Sequence, residues 1–412
     1  MEHTNLKKNM IWNAVGNLIY LGCQWLITVL VAHPRLGSFG EAGLLSVAMS
    51  MSATFQTLAN FGIRNFQVSD IENKYTNDCY VFFRIVTCGT ALLSCIAVSL
   101  ISGYRSEQLL CIFLFMLFRT AEAFSDVLHG IAQKNDRLDI AGKSFAIKGI
   151  GLLICFLGGF VLFDRLALGL LAMTLFSCAS TLTYDLWATR KLERFRFINT
   201  DRTWLTLAKE TLPLCIYLFL SSALVMLPRL ILERKTDGAS LGIYASIFAP
   251  ATLIQSAMGY IYNPFAQAFA QCRAKNDRRG FLLLAGKIIL AIAFLAAVMI
   301  AAALLGGDFA LKLLFGEAIL PYTHLLIPIL VAIAAVSVLG FLCMLAIVLR
   351  AFLPLLASCA IGFALCVAVT SPMIDAWDLN GTSYSLILSA LVTCLILTVG
   401  ILKKLFLQSK KN

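Results

Sequence analysis

The stretch Leu109–Gln133, LLCIFLFMLFRTAEAFSDVLHGIAQ, decides the class of fold. It opens as a pure apolar run, yet Arg119, Glu122 and Asp126 follow with no break in the helical pattern. At 100° per residue these three project, with His129 and Gln133, within about 80° of one helix face. A charge near the centre of a bilayer costs at least ~2.5 kcal/mol on the most lenient scale. Such side chains must face one another or a wet cavity. Ionisable groups at membrane depth point first to transport.

The composition around this stretch agrees. Of the residues, 60% are hydrophobic and 13% charged, whereas soluble domains sit near ~25% charged. Twelve apolar runs are long enough to cross ~30 Å of hydrocarbon. They cover roughly residues 10–32, 40–62, 80–102, 107–130, 144–163, 166–189, 209–232, 240–270, 281–305, 319–347, 349–372 and 381–403. The reading is an all-α membrane protein of about twelve transmembrane helices. The first run is too long for a cleavable signal and leads directly into another span.

The net charge of +11 is distributed by topology and does not form a nucleic-acid footprint. With the N-terminus inside, 25 of the 33 Lys and Arg residues fall in cytoplasmic segments, counting Arg84 and Lys148 among them. The positive-inside rule then places both termini in the cytoplasm. Outer loops are short, the longest being residues 306–320. The longest inner connector, RKLERFRFINTDRTWLTLA from Arg190 to Ala208, is basic and suited to an anionic leaflet. It divides the chain into an N-terminal lobe (1–190, spans 1–6), a linker (191–208) and a C-terminal lobe (209–412, spans 7–12). Gly43-Leu44-Leu45-Ser46 opens span 2 and Gly242-Ile243-Tyr244-Ala245 opens span 8, a faint internal repeat. An even number of spans per half gives both lobes the same orientation.

Three spans carry polar stripes. Asn13, Asn17, Tyr20, Gln24 and Thr28 share one face of span 1, and Ser46, Ser50, Thr57, Asn60 and Arg64 one face of span 2. Ser256, Tyr260, Asn263, Gln267 and Gln271 do so in span 8, where Pro264 is placed to kink the helix. One such stripe would serve as interhelical glue. Three of them beside the charged face of span 4 favour a hydrated central cavity. Within span 4, Arg119 and Glu122 stand at i,i+3, the spacing of an intrahelical ion pair, leaving Asp126 as an unpaired or proton-carrying acid. The triad either couples transport to an ion or neutralises itself as structure. Arg64 and Arg84 either bind phosphate, which guanidinium recognises bidentately, or mark the cytoplasmic interface. Asp185 and Lys287 are placed to snorkel and receive no role.

Thirteen cysteines show no CxxC and no Cys/His cluster of metal spacing, and neither metal nor cofactor is expected. There is no phosphate loop, HExxH or nucleophile elbow. A membrane glycosyltransferase or polymerase would need carboxylates on sizeable outer loops, but Asp308, Asp375 and Asp378 are isolated on short ones.

Several segments resemble a known family. Leu311-Lys-Leu-Leu-Phe315-Gly316-Glu317-Ala-Ile-Leu-Pro-Tyr322, followed by HLLIPIL, is similar to the loop before the tenth span of bacterial polysaccharide flippases. These belong to the multidrug/oligosaccharidyl-lipid/polysaccharide exporter superfamily. Phe118–Ser144, Asn263-Pro264-Phe265 and the opening Lys8–Asn13 resemble that family as well. The resemblance implies two six-helix lobes around a central cavity lined by spans 1, 2, 7 and 8. Span 7 fits less well, with only Glu210, Tyr217 and Ser221 on one face. It also implies alternating-access flipping of an undecaprenyl-diphosphate-linked oligosaccharide, such as an O-antigen or capsule unit, from the inner to the outer leaflet of the bacterial cytoplasmic (inner) membrane. Polysaccharide-assembly enzymes are the implied partners, alongside membrane lipid. The drug-antiporter branch shares the fold, but some of its members use a first-span aspartate, and no acid lies here between Glu2 and Glu41.

Overall fold

The computed structural model describes residues 2–70, 73–198 and 201–407, and among them there is helix but no strand. In chain order the helices are α1 (Glu2–Ala32), α2 (Phe39–Asn60), α3 (Ile63–Ser69), α4 (Asn77–Ile101), α5 (Ser106–Lys134), α6 (Leu138–Phe163), α7 (Leu166–Ser180) and α8 (Leu186–Leu192). They continue as α9 (Thr203–Lys235), α10 (Gly238–Tyr262), α11 (Ala266–Ala274), α12 (Arg278–Phe315), α13 (Leu326–Val348), α14 (Phe352–Trp377) and α15 (Leu379–Leu407). Eleven helical segments among the described residues are long and apolar enough to cross a membrane. With α5, 29 residues long, they make up the expected twelve. Only helices satisfy their own backbone polar groups inside lipid, which is why hydropathy finds them.

Local chemistry sets where helices begin. The Thr76 hydroxyl accepts the N–H of Cys79 to cap α4, and the carboxylates of Asp237 and Asp277 accept from Ser240 and Gly280 to cap α10 and α12. Two boundaries differ from expectation. The expected outer loop 306–320 is helical as far as Phe315, because α12 runs 38 residues before Gly316 ends it. The remainder is a 3-10 segment, Glu317–Leu325, tied back by a 2.7 Å ion pair from Lys312 to Glu317. The stripe of span 2 does not continue unbroken to Arg64. Phe61 (φ 48°) and Gly62 (φ 68°) turn left-handed, so Arg64 rides on the separate helix α3. The expected break at Pro264 is present as a 3-10 turn, Asn263–Phe265, since proline cannot donate to the helical ladder.

The chain forms two compact units, residues 1–31 with 44–222 and residues 32–43 with 223–412. In the first, α5 packs against α3, α4, α6, α7 and α8. That central place shields its charged face from lipid. In the second, α13 packs against α10, α12, α14 and α15. The outer face of α12 is strongly apolar and bare, with Phe294 72% and Leu305 91% exposed. Such a surface is stable only against hydrocarbon.

Glycines allow the closest helix crossings. A Cβ on Gly16 would lie 1.8 Å from the carbonyl oxygen of Gly142, so α1 and α6 meet backbone to backbone. The glycines of the faint repeat meet in the same way. A Cβ on Gly43 would lie 1.9 Å from the Gly238 carbonyl oxygen, and one on Gly242 would lie 1.7 Å from that of Phe39.

Candidate functional site

The first unit carries an open cavity of about 200 Å³ lined by Tyr20 of α1, Gln56 and Asn60 of α2, Phe145 and Lys148 of α6, and the polar face of α5. That face supplies Arg119, Glu122, Ser125, Asp126 and His129. Of the five residues that the periodicity places on one side of span 4, Arg119, Glu122, Asp126 and His129 line this cavity and Gln133 does not.

The charges on this wall fall into three groups. Arg119 pairs with Glu122 at 2.6 Å, as the i,i+3 spacing predicts. Its guanidinium also lies over the rings of Phe115 and Phe118, at 5.1 and 5.3 Å from their centroids. An ion pair within one helix needs no neighbour, which makes it cheap to maintain at membrane depth.

Asp126 corrects the expectation of an unpaired acid. Its two oxygens accept from Arg64 Nη1 and Arg84 Nη2, each at 3.0 Å. Arg84 is fully buried, so it is no interface marker. Its other terminal nitrogen donates to the Ala59 carbonyl at 2.6 Å and to Asn60 Oδ1 at 3.4 Å. The end of α2 at Asn60 leaves carbonyls without intrahelical donors. Arg84 and the Thr87 hydroxyl, which donates to Ala59 at 2.8 Å, supply them. The break after α2 and the burial of Arg84 are therefore one arrangement. Arg64 keeps 26% of its side chain exposed and spends a second donor on Gln133 at 3.2 Å.

The third group was missed. Lys148 Nζ donates to Asp185 Oδ2 at 2.6 Å, to Thr181 Oγ1 at 3.0 Å, and to Ser125 Oγ. Ser125 donates to the same carboxylate at 2.8 Å, and His129 Nε2 lies 3.3 Å from its other oxygen. Asp185 is 0% exposed, so it does not snorkel, and Lys148, 3% exposed, does not belong to the cytoplasmic tally. A π-helical turn, Thr181–Asp185, carries Thr181 and Asp185 toward this cluster. The available signal was depth. Lys148 is the eleventh residue of α6, about 15 Å from its start.

The remaining sequence candidates belong to both units. Asn60 lines the cavity, while Gln24 donates to the Tyr20 hydroxyl at 3.1 Å. Asn13 and Asn17 lie half-buried on α1, and Asn13 Oδ1 is buried without a hydrogen-bond partner among the described residues. Asn263 and Gln267 are exposed residues of the second unit. The side chain of Tyr260 lies outside the described residues. Glu210, singled out on span 7, is held by Lys74 at 2.5 Å. No group of three or more His, Cys, Asp or Glu side chains among the described residues could hold a metal ion.

No family model matches the sequence. The capsular polysaccharide biosynthesis protein CapF of Staphylococcus aureus is 24% identical over 315 residues, which cover 75% of this chain and 77% of that protein. Among solved structures, a multidrug resistance MATE family transporter of the MOP superfamily, in an inward-facing conformation, is similar with a TM-score of 0.75. The match covers 98% of this chain and all of that one at 10% identity. The lipid II flippase MurJ, in an inward closed conformation, gives 0.70 over 97% of this chain and 90% of its own at 11% identity. These neighbours are transporters and flippases, not enzymes. The chain is an all-helical, multi-pass membrane protein that shares the fold of these solved transporters.

Proposed function

We propose that the protein flips an undecaprenyl-diphosphate-linked oligosaccharide from the inner to the outer leaflet by alternating access. Its moving halves would be residues 1–190 and 209–412, joined by the linker 191–208, with both termini in the cytoplasm of a bacterial cell. The observation that carries this reading is the charge balance of the first unit. Four cations, Arg64, Arg84, Arg119 and Lys148, are paired with three carboxylates, those of Asp126, Glu122 and Asp185. The surplus is positive and sits where two arginines share Asp126. Arg64, the more exposed of the two, has the donors with which to meet a phosphate. Every acid in the cavity is already committed to a cation, which suits an anionic cargo better than a cationic drug. Asn13, Asn17, Gln24, Asn60, Tyr260, Asn263 and Gln267 would then meet sugar hydroxyls. The likeness to a protein named for capsular polysaccharide biosynthesis supports the same cargo, and assembly enzymes docking on the inner loops would fit it.

The competing reading is a cation-coupled multidrug antiporter, which the likeness to the MATE transporter favours. Deleting the gene distinguishes the two. A flippase leaves lipid-linked repeat units intact but confined to the inner leaflet, with surface polysaccharide lost. Unchanged polysaccharide with heightened drug sensitivity would establish the antiporter. A block in synthesis of the lipid-linked unit would indicate an enzyme and defeat both.

A further inference from the structure

The connector from α8 to α9 carries a second, separately built site. A cavity of about 520 Å³ is lined by Asp78, Arg190, Arg194, Phe195 and Arg196. Its floor is fixed at two points. Phe195 is buried in the core cluster that contains Ile63, Tyr80, Phe83 and Val127. One residue on, the main-chain N–H of Arg196 donates to the Asp78 carboxylate at 2.9 Å. The guanidinium of Arg190 lies over the rings of Phe195 and Phe197, 5.8 and 4.9 Å from their centroids. Stacking on an aromatic face leaves the N–H edge of a guanidinium open to an anion. None of the three arginines has a carboxylate within ion-pair distance among the described residues. Three arginines thus share this cavity with one aspartate that is already hydrogen-bonded.

The surroundings indicate which anion fits. One turn before Arg190, Trp187 is 58% exposed, and Lys191 Nζ lies 3.5 Å from its ring centroid. Leu182 and Ile198 are also exposed, at 61% and 71%. An indole beside a lysine, with bare aliphatic side chains in the same segment, is the pattern of the headgroup level of a bilayer. A free cytosolic phosphate has nothing to offer those aliphatic side chains, whereas a lipid brings a chain to cover them. We infer that Arg190, Arg194 and Arg196 form a binding site for the phosphodiester headgroup of an anionic phospholipid. Occupancy ties the connector, and with it the start of α9, to the leaflet. The site is independent of the transported cargo.

Native mass spectrometry of the full-length protein, released from nanodiscs that mix phosphatidylglycerol with phosphatidylcholine, tests this. One phosphatidylglycerol should stay bound under activation that strips phosphatidylcholine. Retention should fall roughly fivefold for each arginine removed, and so roughly a hundredfold in the triple variant R190Q/R194Q/R196Q. The variant K275Q/R279Q, on another inner loop, should retain the lipid as the wild type does. Should the triple variant fail to assemble, R194Q still reports, since Arg194 is exposed and loses no ion pair. Equal retention by R194Q and the wild type would overturn the site. Displacement of phosphatidylglycerol by inorganic phosphate at millimolar concentration would overturn the lipid as its source.

Discussion

Replacing Asp126 with Asn removes the one carboxylate on which Arg64 and Arg84 converge, and the structure sets the size of the effect. Arg84 has no exposed side-chain surface, so the change strands a buried guanidinium. Breaking a buried pair by removing one partner costs about 3–5 kcal/mol. Arg64→Gln acts on the same aspartate, but both side chains of that pair are 26% exposed, and Asp126 keeps Arg84. Exposed pairs contribute about 0–1 kcal/mol. A change of 1 kcal/mol moves the melting temperature by about 2–4 °C in a unit of 150–250 residues. Asp126→Asn should therefore lower the apparent melting temperature by roughly 10 °C, and Arg64→Gln by less than about 4 °C. Thermal melting of the purified protein in detergent, followed by size exclusion, reads both. Combining Asp126→Asn with Arg84→Met removes the stranded charge, while Thr87 still donates to the Ala59 carbonyl, and should restore part of the loss. Equal losses for Asp126→Asn and Arg64→Gln would refute the reasoning, as would a double variant less stable than Asp126→Asn alone.

Lys148→Met and Asp185→Asn should each destabilise by about 3 kcal/mol or more, because each strands a buried charge. Their combination should melt closer to the wild type than either single change does, which the same melting experiment checks. Gly242→Ala sets a Cβ against the Phe39 carbonyl at 1.7 Å and should abolish accumulation of folded protein in membranes. Gly89→Ala, whose Cβ meets nothing within 4 Å, should accumulate normally, and immunoblots of membrane fractions compare the two. The Asp70 carboxyl feels desolvation that would raise its pKa. The N–H groups of Tyr75 and Lys74, the Tyr80 hydroxyl and the charge of Lys134 outweigh it and hold the carboxyl below the ordinary range. A depressed folded pKa gives stability that is present above the unfolded value, about 3.9, and lost as pH falls through the folded one. Amide exchange in residues 73–80, corrected for intrinsic rates, should accelerate in acid below about pH 4, and Asp70→Asn should remove that dependence. Flat protection from pH 6 to pH 3 in the wild type would sink this prediction.

Three features follow from single stretches of chain. The spans follow from apolar runs long enough to cross a bilayer as helices, which satisfy their backbone groups internally. The Arg119–Glu122 pair lies within one helical turn, and the break at Pro264 follows from a missing N–H. The break after α2 was less visible. Gly62 was present as a signal, but Phe61 also adopts positive φ, which its residue type disfavours.

The partners of the charges belonged to tertiary structure. Asp126 reaches Arg64 across 62 residues and Arg84 across 42, and Lys148 reaches Asp185 across 37. Helical periodicity fixes the face on which a side chain lies but not the neighbouring helix toward which that face turns. The sequence by itself thus determined that this chain is a helical membrane protein with ionisable groups at depth. Only the packing of α5 among its neighbours, and the π turn at Thr181–Asp185, decided which charges neutralise one another. The physical reason is that helix formation is governed by residues a few positions apart, whereas a buried charge is stabilised by whatever the fold brings within about 3 Å of it.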